Sequence, residues 1–321
     1  MAHLKTLVGA ALVSCLISTG TKAADEVWTS SAGVWGDGRW VRVGDFDGDG
    51  KTDYASPVSN QWYLRYSNGV NGFAYYATGS CFPFTGYGST DYIRVGDFNG
   101  DGIDDYVSPN NGIVYYYSFH STRGACPTIG TTPISTSWGA GDYVFVGDFN
   151  GDGYDDIASA SGGNVFMKFG GPTVWTGGFT SATWTVTNQW STGPYTKVGD
   201  FNGDGLADIA SFSGGVAYMK LSTGSGFVST TWTIPNSWGQ GQYTFAGDFD
   251  ADHYDDIVSC NGGTCYFKRS VGSAFVDGGN ITVDPTWNDV KWIFAGDFEG
   301  DGNKDIASAA ASTYNMKLIS P

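Results

Sequence analysis

Residues 146–153 read Val-Gly-Asp-Phe-Asn-Gly-Asp-Gly, and Asp155-Asp156-Ile157-Ala158 follows one residue later. Apolar residues lead into this stretch from Tyr143 and resume after it at Ile157. Between them, oxygen-bearing side chains stand at alternate positions of a Gly-rich loop. Short apolar runs on either side of a polar turn fit two strands and their connection. With small changes the stretch recurs six times. Its first Asp falls at Asp45, Asp97, Asp148, Asp200, Asp248 and Asp297, at spacings of 52, 51, 52, 48 and 49 residues. Self-similarity at a fixed period of this length marks a repeat architecture, in which each unit buries its apolar face against its neighbours.

Other positions keep register with that Asp. Five residues earlier stands an aromatic: Trp40, Tyr92, Tyr143, Tyr195, Tyr243 and Trp292. Ten earlier stand Trp35, Tyr87, Trp138, Trp190, Trp238 and Trp287. Eleven later is always Ser, at Ser56, Ser108, Ser159, Ser211, Ser259 and Ser308. Twenty later come Arg65, Tyr117, Lys168, Lys220, Lys268 and Lys317. In the third unit, Tyr143–Val146, Asp156–Ser159, Asn164–Lys168 and Trp184–Val186 read as four strands, with Gly162-Gly163 turning the second into the third. Four strands per repeat make one propeller blade. The expected fold is all-β, a single six-bladed β-propeller of four-stranded blades over residues 24–321. The last unit stops after its third strand, Tyr314–Leu318, while Val27-Trp28-Thr29 resembles the fourth-strand segments Thr183-Trp184-Thr185 and Thr231-Trp232-Thr233. The N-terminal strand is therefore expected to complete the last blade and close the ring, covering a bare strand edge. An open solenoid is the alternative.

Each loop has the form Asp-x-Asp/Asn-x-Asp-Gly-x-x-Asp. The sets are Asp45, Asp47, Asp49 and Asp53; Asp97, Asn99, Asp101 and Asp105; Asp148, Asn150, Asp152 and Asp156. They continue with Asp200, Asn202, Asp204 and Asp208; Asp248, Asp250, Asp252 and Asp256; Asp297, Glu299, Asp301 and Asp305. Hard oxygens in a tightly curled loop are what Ca²⁺ takes, six to eight at a time. Position seven would offer only its carbonyl, and its side chain varies freely: Lys51, Ile103, Tyr154, Leu206, Tyr254 and Asn303. The sets hold 21 of the 32 carboxylates, which repel one another without a cation. Up to six Ca²⁺ are expected; Zn²⁺ does not suit such oxygen sets. Asx-turns alone are the structural alternative. Loop five carries Ala251 and His253 where the others carry Gly, so its site is expected to be the weakest. Glu299, longer by a methylene, is expected to perturb the sixth. Asp148→Ala is expected to lower the melting temperature in calcium and to change little in chelator. The loops are not EF-hands, because Ser stands where an EF-hand has its bidentate Glu and an apolar strand follows.

The chain has 321 residues, a net charge of −16 and a pI near 4.2. Such acidity argues against nucleic acid and anionic membrane surfaces as partners. Residues 1–23 read as a secretory signal peptide: Lys5, then the apolar run Leu7–Ile17, then Thr21-Lys22-Ala23 before the cut. The run is too short to span a bilayer. Secretion with cleavage near Ala23 would leave Cys81, Cys126, Cys260 and Cys265. An even count suggests disulfides. Cys260 and Cys265 flank a hairpin turn and are expected to pair, which leaves Cys81 with Cys126; free buried thiols are the alternative.

The loop and its strand context resemble the FG-GAP/VCBS repeat of integrin α-subunit propellers and many secreted microbial proteins. Residues 146–153 with Asp155–Ala158 fit closely, and the resemblance covers nearly all of the chain after residue 23. It implies a propeller with Ca²⁺ between the first two strands of a blade, held by the six sets above. It names no ligand. Relatives include adhesion receptors and a sugar-binding mushroom lectin, usually with seven blades against the six counted here. A secreted carbohydrate-binding or adhesive module is the first reading, with Trp35, Tyr87, Trp138, Trp190, Trp238 and Trp287 as candidate stacking faces. Those aromatics serve equally as inter-blade packing. The basic row at Arg65 and its equivalents offers anion contacts, or pairs with neighbouring carboxylates. A calcium-stiffened docking scaffold for an extracellular protein is the second reading. A polysaccharide-active enzyme has least to rest on: only His120 and His253 remain after residue 23, and the carboxylates are committed to the loops.

Overall fold

Period-two alternation and paired-Gly turns set out the strands in a computed structural model that describes residues 22–30, 41–58, 61–77, 93–110, 113–133, 144–161, 163–186, 195–235, 243–261, 263–283, 293–310 and 313–320. β1 (Lys22–Ser30) precedes a fourfold rhythm. Blade one contains β2 (Arg42–Gly44), β3 (Asp53–Val58), β4 (Gln61–Ser67) and β5 (Gly72–Ala77). Blade two contains β6 (Arg94–Gly96), β7 (Asp105–Asn110), β8 (Ile113–Ser118) and β9 (Thr128–Pro133). Blade three contains β10 (Val144–Gly147), β11 (Asp156–Ser161), β12 (Asn164–Phe169) and β13 (Thr180–Thr185), with the short helix α1 (Val174–Gly177) before β13. Blade four contains β14 (Thr196–Gly199), β15 (Asp208–Ser213), β16 (Val216–Ser222) and β17 (Phe227–Thr233). Blade five contains β18 (Tyr243–Gly247), β19 (Asp256–Asn261), β20 (Thr264–Ser270) and β21 (Phe275–Thr282). Blade six contributes β22 (Ile293–Gly296), β23 (Asp305–Ala310) and β24 (Thr313–Ser320).

Within each blade the strands follow one another as antiparallel neighbours. The two-residue turn from β15 to β16 shows why Gly is needed: Gly214 and Gly215 both have positive φ, 56° and 80°. That is the conformation whose twist matches the flanking strands. β1 lies antiparallel to β24, with Trp28 opposite Tyr314 and Asp25 opposite Lys317. Trp184 opposite Val165 and Trp232 opposite Ala217 hold the equivalent places in blades three and four. The end of β1 also runs parallel to β5, Thr29 opposite Gly72. The strands of blades one and six thus share one eight-stranded sheet.

The short first strands stand side by side around the axis, from β2 through β6, β10, β14 and β18 to β22, and β22 returns to β2. The core is divided into clusters that bridge neighbouring blades. Ile209 of blade four joins Ala158, Val165, Met167 and Trp184 of blade three. Ile257 and Phe275 of blade five join Phe201, Met219 and Trp232 of blade four. This is the packing that makes one repeat depend on the next.

Candidate metal centres

The six acidic loops join the first and second strands of their blades, so one end of the propeller carries all of them. An apolar anchor fixes each loop. The residue after the first Asp is Phe46, Phe98, Phe149, Phe201, Phe249 or Phe298, and every one is fully buried. Most reach into the next blade: Phe46 meets Phe119 at 5.1 Å, Phe149 meets Phe227 at 5.9 Å, and Phe201 meets Phe275 at 5.8 Å. Phe298 stacks on Tyr54 of blade one at 5.4 Å. Aromatic pairs of this kind contribute about 0.5–1.5 kcal/mol beyond the area they bury.

A relay of backbone hydrogen bonds runs around the same ring. The N–H at loop position eight donates to the position-one carbonyl of the preceding loop. Asp104 donates to Asp45 at 2.7 Å, Asp155 to Asp97 at 2.9 Å, Ala207 to Asp148 at 2.8 Å and Asp255 to Asp200 at 2.8 Å. Lys304 donates to Asp248 at 2.9 Å, and Thr52 of blade one to Asp297 of blade six at 2.7 Å. Where position eight is Asp, its carboxylate returns the contact. Asp45, Asp97 and Asp200 N–H donate to the Oδ2 atoms of Asp104, Asp155 and Asp255 at 2.8, 3.0 and 2.8 Å.

Loop three shows the curl. Asp148 Oδ1 accepts from Gly151 N–H at 2.7 Å and Asp152 N–H at 3.2 Å, and Oδ2 accepts from Gly153 N–H at 2.8 Å. Both glycines have positive φ, 77° and 84°, which a side chain would oppose. The same contacts recur around Asp45, Asp97, Asp200 and Asp297. Position nine is fully buried in all six loops, at Asp53, Asp105, Asp156, Asp208, Asp256 and Asp305. It ties the loop to the end of the third strand: Asp156 Oδ1 accepts from Gly170 N–H at 2.9 Å, and Asp208 Oδ1 from Ser222 N–H at 2.7 Å. Burial pushes these carboxyls up, Asp105 to about 9, Asp156, Asp256 and Asp305 to about 8, and Asp208 to about 7. Asp53 also rises well above the ordinary carboxylate value, for the same reason.

These residues fit a hard cation. One oxygen each from Asp45, Asp47 and Asp53 lies within 4.8 Å of the others, and so it is for Asp248, Asp250 and Asp256. Asp47 Oδ1, Asp208 Oδ2 and Asp250 Oδ1 are buried with no hydrogen-bond partner. An ionised carboxylate oxygen accepts only, so a buried one without a donor leaves a free-energy deficit that a cation removes. The donor set is all oxygen, as Ca²⁺ and Mg²⁺ require.

The loops are not equivalent. At position three, loops two, three and four carry Asn and loops one and five carry Asp. Arg123, from the β8–β9 connection of blade two, reaches Asp47 through Nε and Asp49 through Nη2 at 3.2 Å. Its guanidinium also lies 5.0 Å from the centre of the Tyr66 ring. Arg269 Nη1 lies 3.0 Å from Asp250 Oδ2. Sequence reasoning missed both arginines; the Asp-for-Asn exchange was the signal that would have prompted a search for them. In loop five Ala251 and His253 do adopt left-handed torsions, φ 60° and 69°. There Asp248 still accepts from His253 N–H at 3.0 Å, but the bonds from positions four and five seen in the other loops do not form. Glu299 leaves the curl of loop six intact, with Gly300 and Gly302 N–H at 2.7 and 2.9 Å from Asp297.

The other expected residues divide. Cys260 and Cys265 are cross-strand neighbours joined by a disulfide. Cys126 is disulfide-bonded, while Cys81 lies outside the described residues. Trp35, Tyr87, Trp138, Trp190, Trp238 and Trp287 also lie outside them. The basic row is buried within the blades. Lys168 and Lys220 donate to Ser181 and Ser229 Oγ at 2.6 and 2.8 Å, Lys268 pairs with Asp277 at 2.9 Å, and Arg65 lies over the Tyr75 ring.

The profile of the FG-GAP-like repeat matches residues 45–108, 97–159, 148–211 and 200–259. The chain belongs to that family. No curated protein matches it. Among solved structures it is similar to an Agrocybe aegerita lectin that recognises non-reducing terminal N-acetylglucosamine. That likeness has a TM-score of 0.58 and 19% identity, over 83% of this chain and 73% of the lectin. It is also similar to part of the Photorhabdus luminescens Tc holotoxin pore, with a TM-score of 0.62 and 14% identity, over 92% of this chain and 14% of the toxin chain. At these identities the likeness is one of fold. Among the described residues no helix is long and apolar enough to cross a membrane.

Proposed function

We propose that this protein is a secreted, calcium-bearing propeller that recognises carbohydrate. The lectin neighbour, matched over most of both chains, carries the choice of ligand. The orphaned, buried carboxylate oxygens of the loops support the cation, and Ca²⁺ is the hard ion that tolerates irregular oxygen sets. The signal-like residues 1–23 and the Cys260–Cys265 bridge support an oxidising, extracellular setting. Cleavage after Ala23 would remove two register pairs of β1 and leave those from Ala24 to Thr29. In this reading the cations stiffen the loop face, and the aromatic series from Trp35 to Trp287 meets the sugar. Several weak sites on one ring would add through avidity.

The test is a glycan array probed with protein lacking residues 1–23, in calcium and in chelator. Binding to a defined terminal sugar, weakened in chelator, is the expected result. No binding by folded protein in either condition would displace the carbohydrate reading in favour of a docking scaffold for a protein. The propeller within the Tc assembly supports that second reading. We also infer that β1 seals the ring. Deleting residues 22–30 should then lower the melting temperature by ~10 °C or more, because it bares the edge of β24 along its whole length. An unchanged melting temperature would refute the seal.

A further inference from the structure

β21 is the outermost strand of blade five, last in the order β18-β19-β20-β21, so one of its edges has no strand partner among the described residues. Its second half reads Gly278-Gly279-Asn280-Ile281-Thr282. The register against β20 slips here. Asp277 lies opposite Lys268 and Gly279 opposite Phe267, which leaves Gly278 as an extra residue. Such a bulge bends the strand and re-aims the side chains that follow. Gly279 has a positive φ, 88°, and open space where a side chain would stand. Beyond it the alternation resumes. Ile281 lies opposite Cys265 and packs with the cluster that holds Ile293, Ile306 and Ile319 of blade six. Asn280 and Thr282 lie opposite Tyr266 and Thr264, on the other face, and both are exposed.

Nothing in the fold calls for Asn at this place. Asn is disfavoured in strands, and the Asn280 amide has no hydrogen-bond partner among the described residues. With Thr282 two residues on, and Ile281 rather than Pro between them, it forms the acceptor pattern for an N-linked sugar. The pattern occurs once in the 321 residues, so a single modified position is expected. Two surroundings suit it. Cys265, directly across from Ile281, is bonded to Cys260, and disulfides form in the lumen where secreted chains meet the sugar donor. The start of β21 is anchored at the loop end, where Ser270 donates to the Phe201 carbonyl of loop four at 2.6 Å. Strand rise carries Asn280 ~15 Å from Phe275, away from the acidic loops. A bulky group there leaves the loop face clear.

We propose that Asn280 carries an N-linked oligosaccharide. The modification rests on the secretion proposed above. The donor is an oligosaccharide linked to a polyprenyl diphosphate. Asn280 Nδ2 forms the bond to C1 of the first sugar as the C1–O bond breaks. The diphosphate leaves with that electron pair, and one amide proton passes to a base. The attached glycan stands beside the free edge of β21, where it blocks pairing with a strand of another copy.

The test is expression of the full chain in a eukaryotic secreting host. Protein from the medium and from the cells is compared on gels before and after peptide N-glycosidase. The peptide holding Asn280 is then read by mass spectrometry, since the enzyme converts an occupied Asn to Asp. Wild type in the medium should move faster after treatment, with the conversion at Asn280. Asn280→Gln and Thr282→Ala should lose the shift completely, and Thr282→Ser should keep it. Secreted wild type that does not respond to the enzyme would overturn the site and leave secretion standing. A shift that persists in both variants would place the sugar elsewhere and also overturn it. Unmodified protein confined to the cytosol would overturn the secreted reading, and the site with it.

Discussion

Loops one and five share one difference from loops two, three and four, at position three. Asp47 and Asp250 stand in the first pair, and Asn99, Asn150 and Asn202 in the second group. Each added carboxylate has drawn an arginine, from opposite directions. Arg123 crosses from the neighbouring blade, whereas Arg269 rises from its own third strand. The asparagines need no such partner. Asn150 and Asn202 turn their amide nitrogens to Asp152 and Asp204 at 3.0 Å, and Asn99 donates to Asp105 at 3.2 Å. The same backbone curl is thus neutralised in two ways. An internal guanidinium carries part of the burden in loops one and five. The ligand sets of loops two, three and four hold three carboxylates each, with no arginine or lysine paired to them among the described residues. They depend most on a bound cation.

Removing the cation should therefore break the molecule unevenly. At a calcium concentration about ten times its dissociation constant, each site adds roughly 1.4 kcal/mol. Three sites would add roughly 4 kcal/mol, or about 6 °C in a chain of this size. Chelation should cause a fall of that order. Hydrogen exchange in chelator should accelerate at residues 97–105, 148–156 and 200–208 more than at 45–53. Uniform acceleration across all loops would show that the arginines carry none of the difference.

The position-nine carboxylate gives a narrower cut. Asp156→Asn loses one of the two accepted backbone bonds, from Phe149 and Gly170, at a cost of ~1–3 kcal/mol in any buffer. In calcium the loss of the ion adds to this. Asp256→Asn in loop five should show a smaller gap between calcium and chelator, because that loop lacks two of its curl bonds and has Arg269. Melting curves of both variants in both buffers decide it. Equal gaps would place loops three and five in one class.

Arg123→Met tests the internal cation directly. It should cost ~1 kcal/mol in chelator, the scale of a partly exposed ion pair, and less in calcium. The calcium response of the variant should grow, since the ion no longer competes with a guanidinium for Asp47 and Asp49. A loss of equal size in both buffers would mean that Arg123 acts only as a strut between blades one and two.

The repeat made the fold legible. Register with the first Asp placed the four strands, the six blades and the four loop oxygens of each set, because a repeated constraint is visible within a single chain. What crossed between repeats was hidden. The expectation that Asp148→Ala would matter only in calcium overlooked the three N–H groups that its carboxylate accepts. That substitution should cost stability in both buffers, and only the difference reports the ion. Arg123 was invisible for a related reason: it lies 76 residues from Asp47 in the chain and belongs to no repeated position. The aromatic ring that docks most loops into the next blade lies within the repeated stretch itself, as Phe149 does at 146–153. Its partners, such as Phe119 and Phe227, lie outside that stretch.

Loop five offers the smallest effect and the cleanest sign. Ala251 and His253 hold torsions that glycine adopts freely, and the His253 side chain is almost fully exposed, so little packing is lost by removing it. Ala251→Gly with His253→Gly should relieve the left-handed strain, offset in part by the greater freedom of glycine in the unfolded chain. The net gain should be ~0.5–1 kcal/mol, present in chelator as well as in calcium. If loop five is weak only because of its backbone, the double variant should also show a larger calcium response, approaching that of loop three. If the gain appears but the calcium response stays small, then Arg269 on Asp250 sets the weakness of the loop. Arg269→Met in the same background should then restore the response.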